Sequence, residues 1–137
     1  MGRYFRASVL LLLILTACGG GGSSTQTITG TLELVGNDTY VTAAGYPPCS
    51  GEGGFADITE GTQIAVRNGA GEVLAVGALS EGTPFSQERV CRFEFTITAV
   101  PADEAIYTIT IGDRDGPLYP VADLEAAGWV IALTLGG

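Results

Sequence analysis

The chain contains no lysine and no histidine, and its six arginines stand against 15 acidic residues over 137 positions. Without histidine, the commonest acid–base side chain and the commonest transition-metal ligand are both missing. Ser-His-Asp and Cys-His arrangements therefore cannot be assembled within it. Tryptophan and methionine occur once each, and aromatic residues make up only 8%. So little basic surface cannot neutralise a phosphate backbone, which argues against nucleic acid as a partner. The longest apolar run falls well short of the ~20 residues a membrane-spanning helix needs. What is abundant is apolar residues, at 46%, and glycine, at 21 residues. This is the composition of a globular chain, and its length leaves room for one domain.

The first six residues carry Arg3 and Arg6, and a leucine-rich run from Ala7 to Thr16 follows. A charged segment ahead of a short apolar one is the pattern of a secretory signal. The run ends in Leu15-Thr16-Ala17-Cys18, which resembles a bacterial lipobox. The resemblance implies cleavage after residue 17 and lipidation of Cys18, with two or three acyl chains. Each buried methylene contributes about 0.8 kcal/mol, so one chain anchors marginally and several hold firmly. Residues 18–26 then read as the lipidated cysteine and a Gly/Ser-rich tether that behaves as a flexible coil. Residues 27–137 form the expected domain. The expected location is the cell envelope, anchored by lipid and facing away from the cytoplasm: the outer leaflet of the plasma membrane, or the outer membrane in a Gram-negative host. Removing the signal takes away two arginines and leaves 15 acids against four, a formal charge of −11. Such acidity favours solubility and repels an anionic membrane surface, so attachment would rest on the lipid.

From Thr27 the apolar pattern has a period of two. Ile28, Leu32 and Leu34 alternate with Thr29, Thr31 and Glu33, and Gly30 interrupts the apolar side. Cys91, Phe93, Phe95, Ile97 and Ala99 alternate with Arg92, Glu94, Thr96 and Thr98; Trp129, Ile131, Leu133 and Leu135 repeat the pattern. Strict alternation means one buried and one wet face, as in antiparallel sheets. Residues 62–67 and 72–79 read as a hairpin around Asn68-Gly69, a pair suited to the positive φ angles of a tight turn. Residues 105–111 form another strand, with Tyr107, Ile109 and Ile111 inward. Residues 120–127 give the one plausible helix, with Gly128 to end it. About seven short strands at such spacing predict an all-β fold, an immunoglobulin-like antiparallel β-sandwich, with a jelly roll or a small barrel as alternatives.

With Cys18 committed to lipid, Cys49 and Cys91 remain, an even number in an oxidising compartment. Cys91 points inward by strand parity, and Cys49 lies in what reads as a loop, residues 46–51. A bridge between them would close a long loop and stabilise the domain by about 4 kcal/mol on chain-entropy arithmetic.

The stretch from Cys49 to Gly116 resembles uncharacterised lipoproteins and membrane-anchored β-domain proteins of actinobacterial type. The residues that carry it are Cys49-Ser50-Gly51-Glu52-Gly53-Gly54-Phe55-Ala56-Asp57-Ile58, then Gly61 to Ile64, Gly71, Gly77, Cys91 to Phe95 and Tyr107 to Arg114. These are framework features: a cysteine pair, turn glycines and alternating aromatics. They imply a β-fold, the disulfide and an envelope location, and no activity.

Four features could carry chemistry or binding. Asp113-Arg114-Asp115-Gly116 opens like a calcium loop, and Asp113 and Asp115 are the candidate metal ligands. Its twelfth position is Leu124 rather than glutamate, and a tight turn with Asx hydrogen bonds explains the same residues. Gly51 to Asp57 lacks the lysine of a phosphate cradle, so Phe55 and Asp57 are instead candidate contacts on a stapled loop. Asp57, Glu60, Asp103, Glu104, Asp113 and Asp115 could supply a glycosidase pair, but no spacing singles one out. Tyr46, Phe55, Tyr119 and Trp129 could form an aromatic platform, although Trp129 fits better as core. The expected role is a non-catalytic, lipid-anchored domain that binds an envelope protein or wall polymer, or serves as an accessory module. The alternatives are a calcium or small-ligand module and, more remotely, an envelope glycoside hydrolase. No resident cofactor is implied beyond that calcium.

Overall fold

The computed structural model describes residues 24–37, 39–43 and 46–137. The expected signal, Cys18 and the tether as far as Ser23 lie outside the described residues, as does the side chain of Tyr46. The sandwich expected from the alternation is what the chain forms, with ten strands among the described residues rather than about seven.

Strand β1 (Thr25–Val35) starts inside the segment assigned to the tether and buries Ile28, Leu32 and Leu34 completely. It lies between β7 (Val90–Pro101), antiparallel, and β10 (Val130–Gly136), parallel. Leu32 thereby sits between Phe93 and Leu133 in one cross-strand row. The parallel β1–β10 pair departs from the all-antiparallel expectation, and β6 (Thr83–Phe85) completes the sheet in the order β10-β1-β7-β6. Gly30 interrupts the apolar face because there is no room for more: the Phe95 ring and the Ile131 carbonyl occupy the space a Cβ would take.

Along β7, Cys91, Phe93, Phe95 and Ile97 point inward as the parity predicts. Ala99 does not. It takes a positive φ of 57° at a register shift opposite Gln26–Ile28 and is exposed, while Val100 takes the inward place. The extra residue of a β-bulge inverts the alternation beyond it.

The second sheet has the order β5-β4-β8-β9, built from β4 (Gln63–Asn68), β5 (Val73–Ala78), β8 (Ile106–Ile111) and β9 (Arg114–Pro120). Its inner face contributes Ile64, Val66, Tyr107, Ile109 and Ile111, all buried as expected for β8. The β4–β5 hairpin forms where Asn-Gly predicts it, but the positive φ belongs to Gly71, at 79°, with a register shift beside it. Asn68 shapes the turn with its side chain: Oδ1 accepts from the N–H groups of Ala70 and Glu72.

Residues 46–51, read as a loop, are instead a strand, β3 (Tyr46–Gly51), paired with β2 (Tyr40–Ala43). Prolines 47 and 48 hide it in the sequence, since proline is tolerated only at edges. The Cys49–Cys91 disulfide, with Cα atoms 6.0 Å apart, ties this hairpin to β7. Cys49 N–H also donates to the Gly82 carbonyl at 3.0 Å. Helix α1 (Val121–Ala126) buries Leu124 and ends near Gly128, at φ 65°. No helix among the described residues is long and apolar enough to cross a membrane.

The two flanks of the sandwich differ. On one, the chain beyond β5 bonds to β7: Leu79 bridges Phe95, Ser80 N–H donates to the Glu94 carbonyl at 2.8 Å, and Gly77 packs against the Thr96 carbonyl. On the other, β9 ends one sheet and β10 the other, and no ladder joins them.

Candidate functional site

The open flank is a groove of about 510 Å³ between β9 and β10, lined on one side by Asp115, Gly116, Pro117 and Tyr119 and on the other by Ala132 to Leu135, with Ile111 below. That volume lies within the ~300–1,000 Å³ range of small-ligand sites. The β10 wall has a definite polarity. Thr29 N–H donates to the Trp129 carbonyl at 3.1 Å, which sets the phase of the parallel ladder. In such a ladder, alternate residues turn their amide and carbonyl to the same neighbour. Ile131, Leu133 and Leu135 therefore bond to β1, while Ala132 and Thr134 direct their backbone groups into the groove. Leu133 is buried beneath it and Leu135 half-buried. Across the groove, Tyr119 packs against the core, and burial raises its phenol above the ordinary value of 10.0.

Between the two candidate metal ligands, Arg114 makes a clamp. Arg114, the first residue of β9, reaches back to the 3-10 turn Gly53–Phe55. Its Nε donates to Asp57 Oδ2 at 3.1 Å, and its Nη2 donates to Asp57 Oδ1 and to the Gly54 carbonyl. The guanidinium carbon stands 5.2 Å from the centroid of the Phe55 ring. The guanidinium hydrogen bonds lower the Asp57 carboxyl below 3.8, and the same contacts raise Arg114. The Asp57 carbonyl accepts from Thr62 Oγ1 at 2.7 Å, and Thr62 Oγ1 accepts from Thr59 N–H, so the loop is braced internally as well.

Phe55 and Asp57 are thus brought together as members of a structural clamp that fastens the Cys49-side loop to the β8–β9 turn. Asp113 and Asp115 flank the arginine of that clamp, both exposed. Among the described residues no three Asp, Glu, Cys or His side chains are grouped as a metal would require. Asp115 lines the groove. Of the aromatic residues proposed as a platform, Phe55 lies in the clamp and Tyr119 in the groove. Trp129 is core, meeting Tyr107 edge to face at 5.6 Å. The groove itself escapes sequence reading, because it depends on which strands end each sheet. Its one local signal is the contrast between a β9 containing Gly116, Pro117 and Pro120 and a β10 without charge or proline.

No protein-family model, curated protein or solved structure matches this chain.

Proposed function

We propose that this chain is a bacterial lipoprotein that displays a small, non-catalytic β-sandwich outside the cytoplasm, where it binds an envelope component. The groove carries this reading: one flank of the sandwich is bridged by backbone bonds, and the other presents backbone groups without a partner among the described residues, above an apolar floor. The disulfide and the Arg114–Asp57 clamp support it, because they brace the β2–β3 hairpin, the loop after it and the start of β9 within the chain itself. Binding surfaces are commonly carried on such frames. The signal, the lipobox-like Leu15-Thr16-Ala17-Cys18 and the Gly/Ser segment support the anchoring part of the reading.

Metabolic labelling with an alkyne-bearing fatty acid in a bacterial host tests the anchor. The full chain takes up label and sediments with membranes, whereas Cys18→Ala does neither. Label-free, soluble wild-type protein would overturn the anchored reading. Crosslinking in the native membrane then tests the binding role: a reproducible partner, lost when groove residues are changed, is the expected result.

A further inference from the structure

We propose that the groove binds an extended, cation-bearing segment of another protein, which adds as a strand to the free edge of β10. This rests on the reading of the domain as a non-catalytic binding module and names the form of the partner.

The first argument comes from the sheet edges. A free edge is a template for any strand, and proteins blunt it by shortness, proline, charge, bulges or cover. The other edges here are blunted. Strand β6 has three residues and contains Pro84, β2 has four, and β5 leans on the Thr96 carbonyl of β7 through Gly77. Strand β9 carries Pro117 and Pro120, and its pairing with β8 shifts register between Thr108 and Thr110 of that strand. Strand β10 has none of these devices among the described residues: Val130-Ile-Ala-Leu-Thr-Leu-Gly136 has no charge, no proline and no register shift against β1. Its Ala132 and Thr134 backbones face the groove at the two-residue spacing an added strand would match.

The second argument decides the occupant. In strand addition, main-chain bonds give affinity and pockets for alternate side chains give specificity. The groove floor, with Leu133, Leu135 and Tyr119, takes apolar side chains at alternate positions. Exposed Asp115 at its rim takes a lysine or arginine. A domain with 15 acids against four arginines repels a second copy of itself and attracts a basic segment.

The test uses the full chain in detergent and a synthetic hexapeptide that alternates valine and threonine and ends in lysine. Hydrogen exchange at the Ala132 and Thr134 amides is read with and without the peptide at millimolar concentration. Protection of these two amides by about tenfold or more is expected. It should weaken severalfold with Asp115→Asn, and again when glutamate replaces the peptide's lysine. Ala132→Pro removes a groove-facing N–H without touching the β1 ladder and should abolish binding. An N-methylated peptide, which cannot donate to the Ala132 and Thr134 carbonyls, should bind severalfold more weakly and serves as the control if that variant does not fold. Three results would each overturn the proposal: no protection by any peptide, protection already present in the free chain from its own N-terminal segment, or protection that grows with protein concentration alone. None of these depends on lipidation, so failure here and failure of the anchor are read separately.

Discussion

Tyr107 and Trp129 meet edge to face, with ring centroids 5.6 Å apart and planes at 80°, and so lock β8 to the turn that feeds β10. The Tyr107 hydroxyl donates to the Pro101 carbonyl at 2.6 Å and accepts from Glu104 N–H at 3.3 Å. One side chain thereby fixes the end of β7, the loop after it and the approach to the groove's β10 wall. Trp129 holds a positive φ of 62°, an uncommon conformation for a large side chain, and it is 8% exposed.

Tyr107→Phe keeps the ring contact and removes both hydrogen bonds. The expected cost is about 1–2 kcal/mol, because the Pro101 carbonyl loses its partner next to the core. For a domain of this size that lowers Tm by several degrees, measurable by thermal circular dichroism. Burial, the largest cause, raises the Tyr107 phenol above 10.0. The unfolded chain then ionises first, so the stability is complete below pH 10 and is lost as pH rises through the folded-state value. The Phe variant should flatten the alkaline limb of the stability curve. An unchanged limb would assign it to Tyr119, whose phenol burial also raises.

The Cys49–Cys91 bridge closes a loop with a sequence separation of 42 and fastens the β2–β3 hairpin to β7. Chain-entropy arithmetic for such a loop gives about 4 kcal/mol. The double variant Cys49→Ala/Cys91→Ala should lose a large part of that in urea titration, and the wild-type chain should fall to a similar midpoint with reductant. Gly82→Ala should also destabilise, because its Cβ would press on Cys91 Sγ and Phe93. A double variant as stable as wild type would mean that packing alone holds the hairpin.

The strands legible in the sequence are those whose alternation runs over many residues. β1, β7 and β10 show it because each has one face in the core, and Tyr107, Ile109 and Ile111 show it in β8. The strands that escape are short or interrupted: β3 by Pro47 and Pro48, β6 by Pro84, β9 by Gly116 and Pro117. They exist because neighbouring backbones pair with them, which is a tertiary cause. Ala99 escapes for a related reason, since a bulge depends on the opposing strand. The Asp113-Arg114-Asp115 stretch suggested a cation loop by residue type. Arg114 instead spends its charge on Asp57, a residue 57 positions away that no local pattern connects to it. The groove is further from local reading still, since strand order alone brings β9 and β10 face to face.

Gly30 gives a sharp steric test of the β1–β10 pairing. A side chain there would meet the Phe95 ring and the Ile131 carbonyl, and the carbonyl belongs to the strand that forms the groove wall. Overpacking of this kind costs about 1–3 kcal/mol, or more where backbone must move. Gly30→Val should lower Tm and speed hydrogen exchange at Ile131 and Leu133 more than at β4 amides. Equal acceleration in both sheets would indicate general loosening rather than loss of the β10 edge.

The Asp57–Arg114 clamp makes the last prediction. Hydrogen bonding to the Arg114 guanidinium, the largest cause, holds the Asp57 carboxyl below its ordinary value of 3.8. The folded state therefore binds its proton less readily than the unfolded chain. The clamp's stability is complete above the unfolded value and is lost as pH falls through the lower, folded one. Both side chains are partly solvated, at 32% and 48% exposure, so solvent screening keeps the contribution below about 1 kcal/mol. Asp57→Asn should remove that acid-side dependence and change the pH 7 midpoint only slightly, as read by urea titration from neutral pH down to 3. Arg114→Gln should do the same, and the double variant should add little to either, because both changes break one interaction. Because the clamp fixes the start of β9, either variant should also raise exchange at the Asp115 amide on the groove rim. If stability changed while that amide stayed as protected as before, the clamp would be a local loop brace with no hold on the groove.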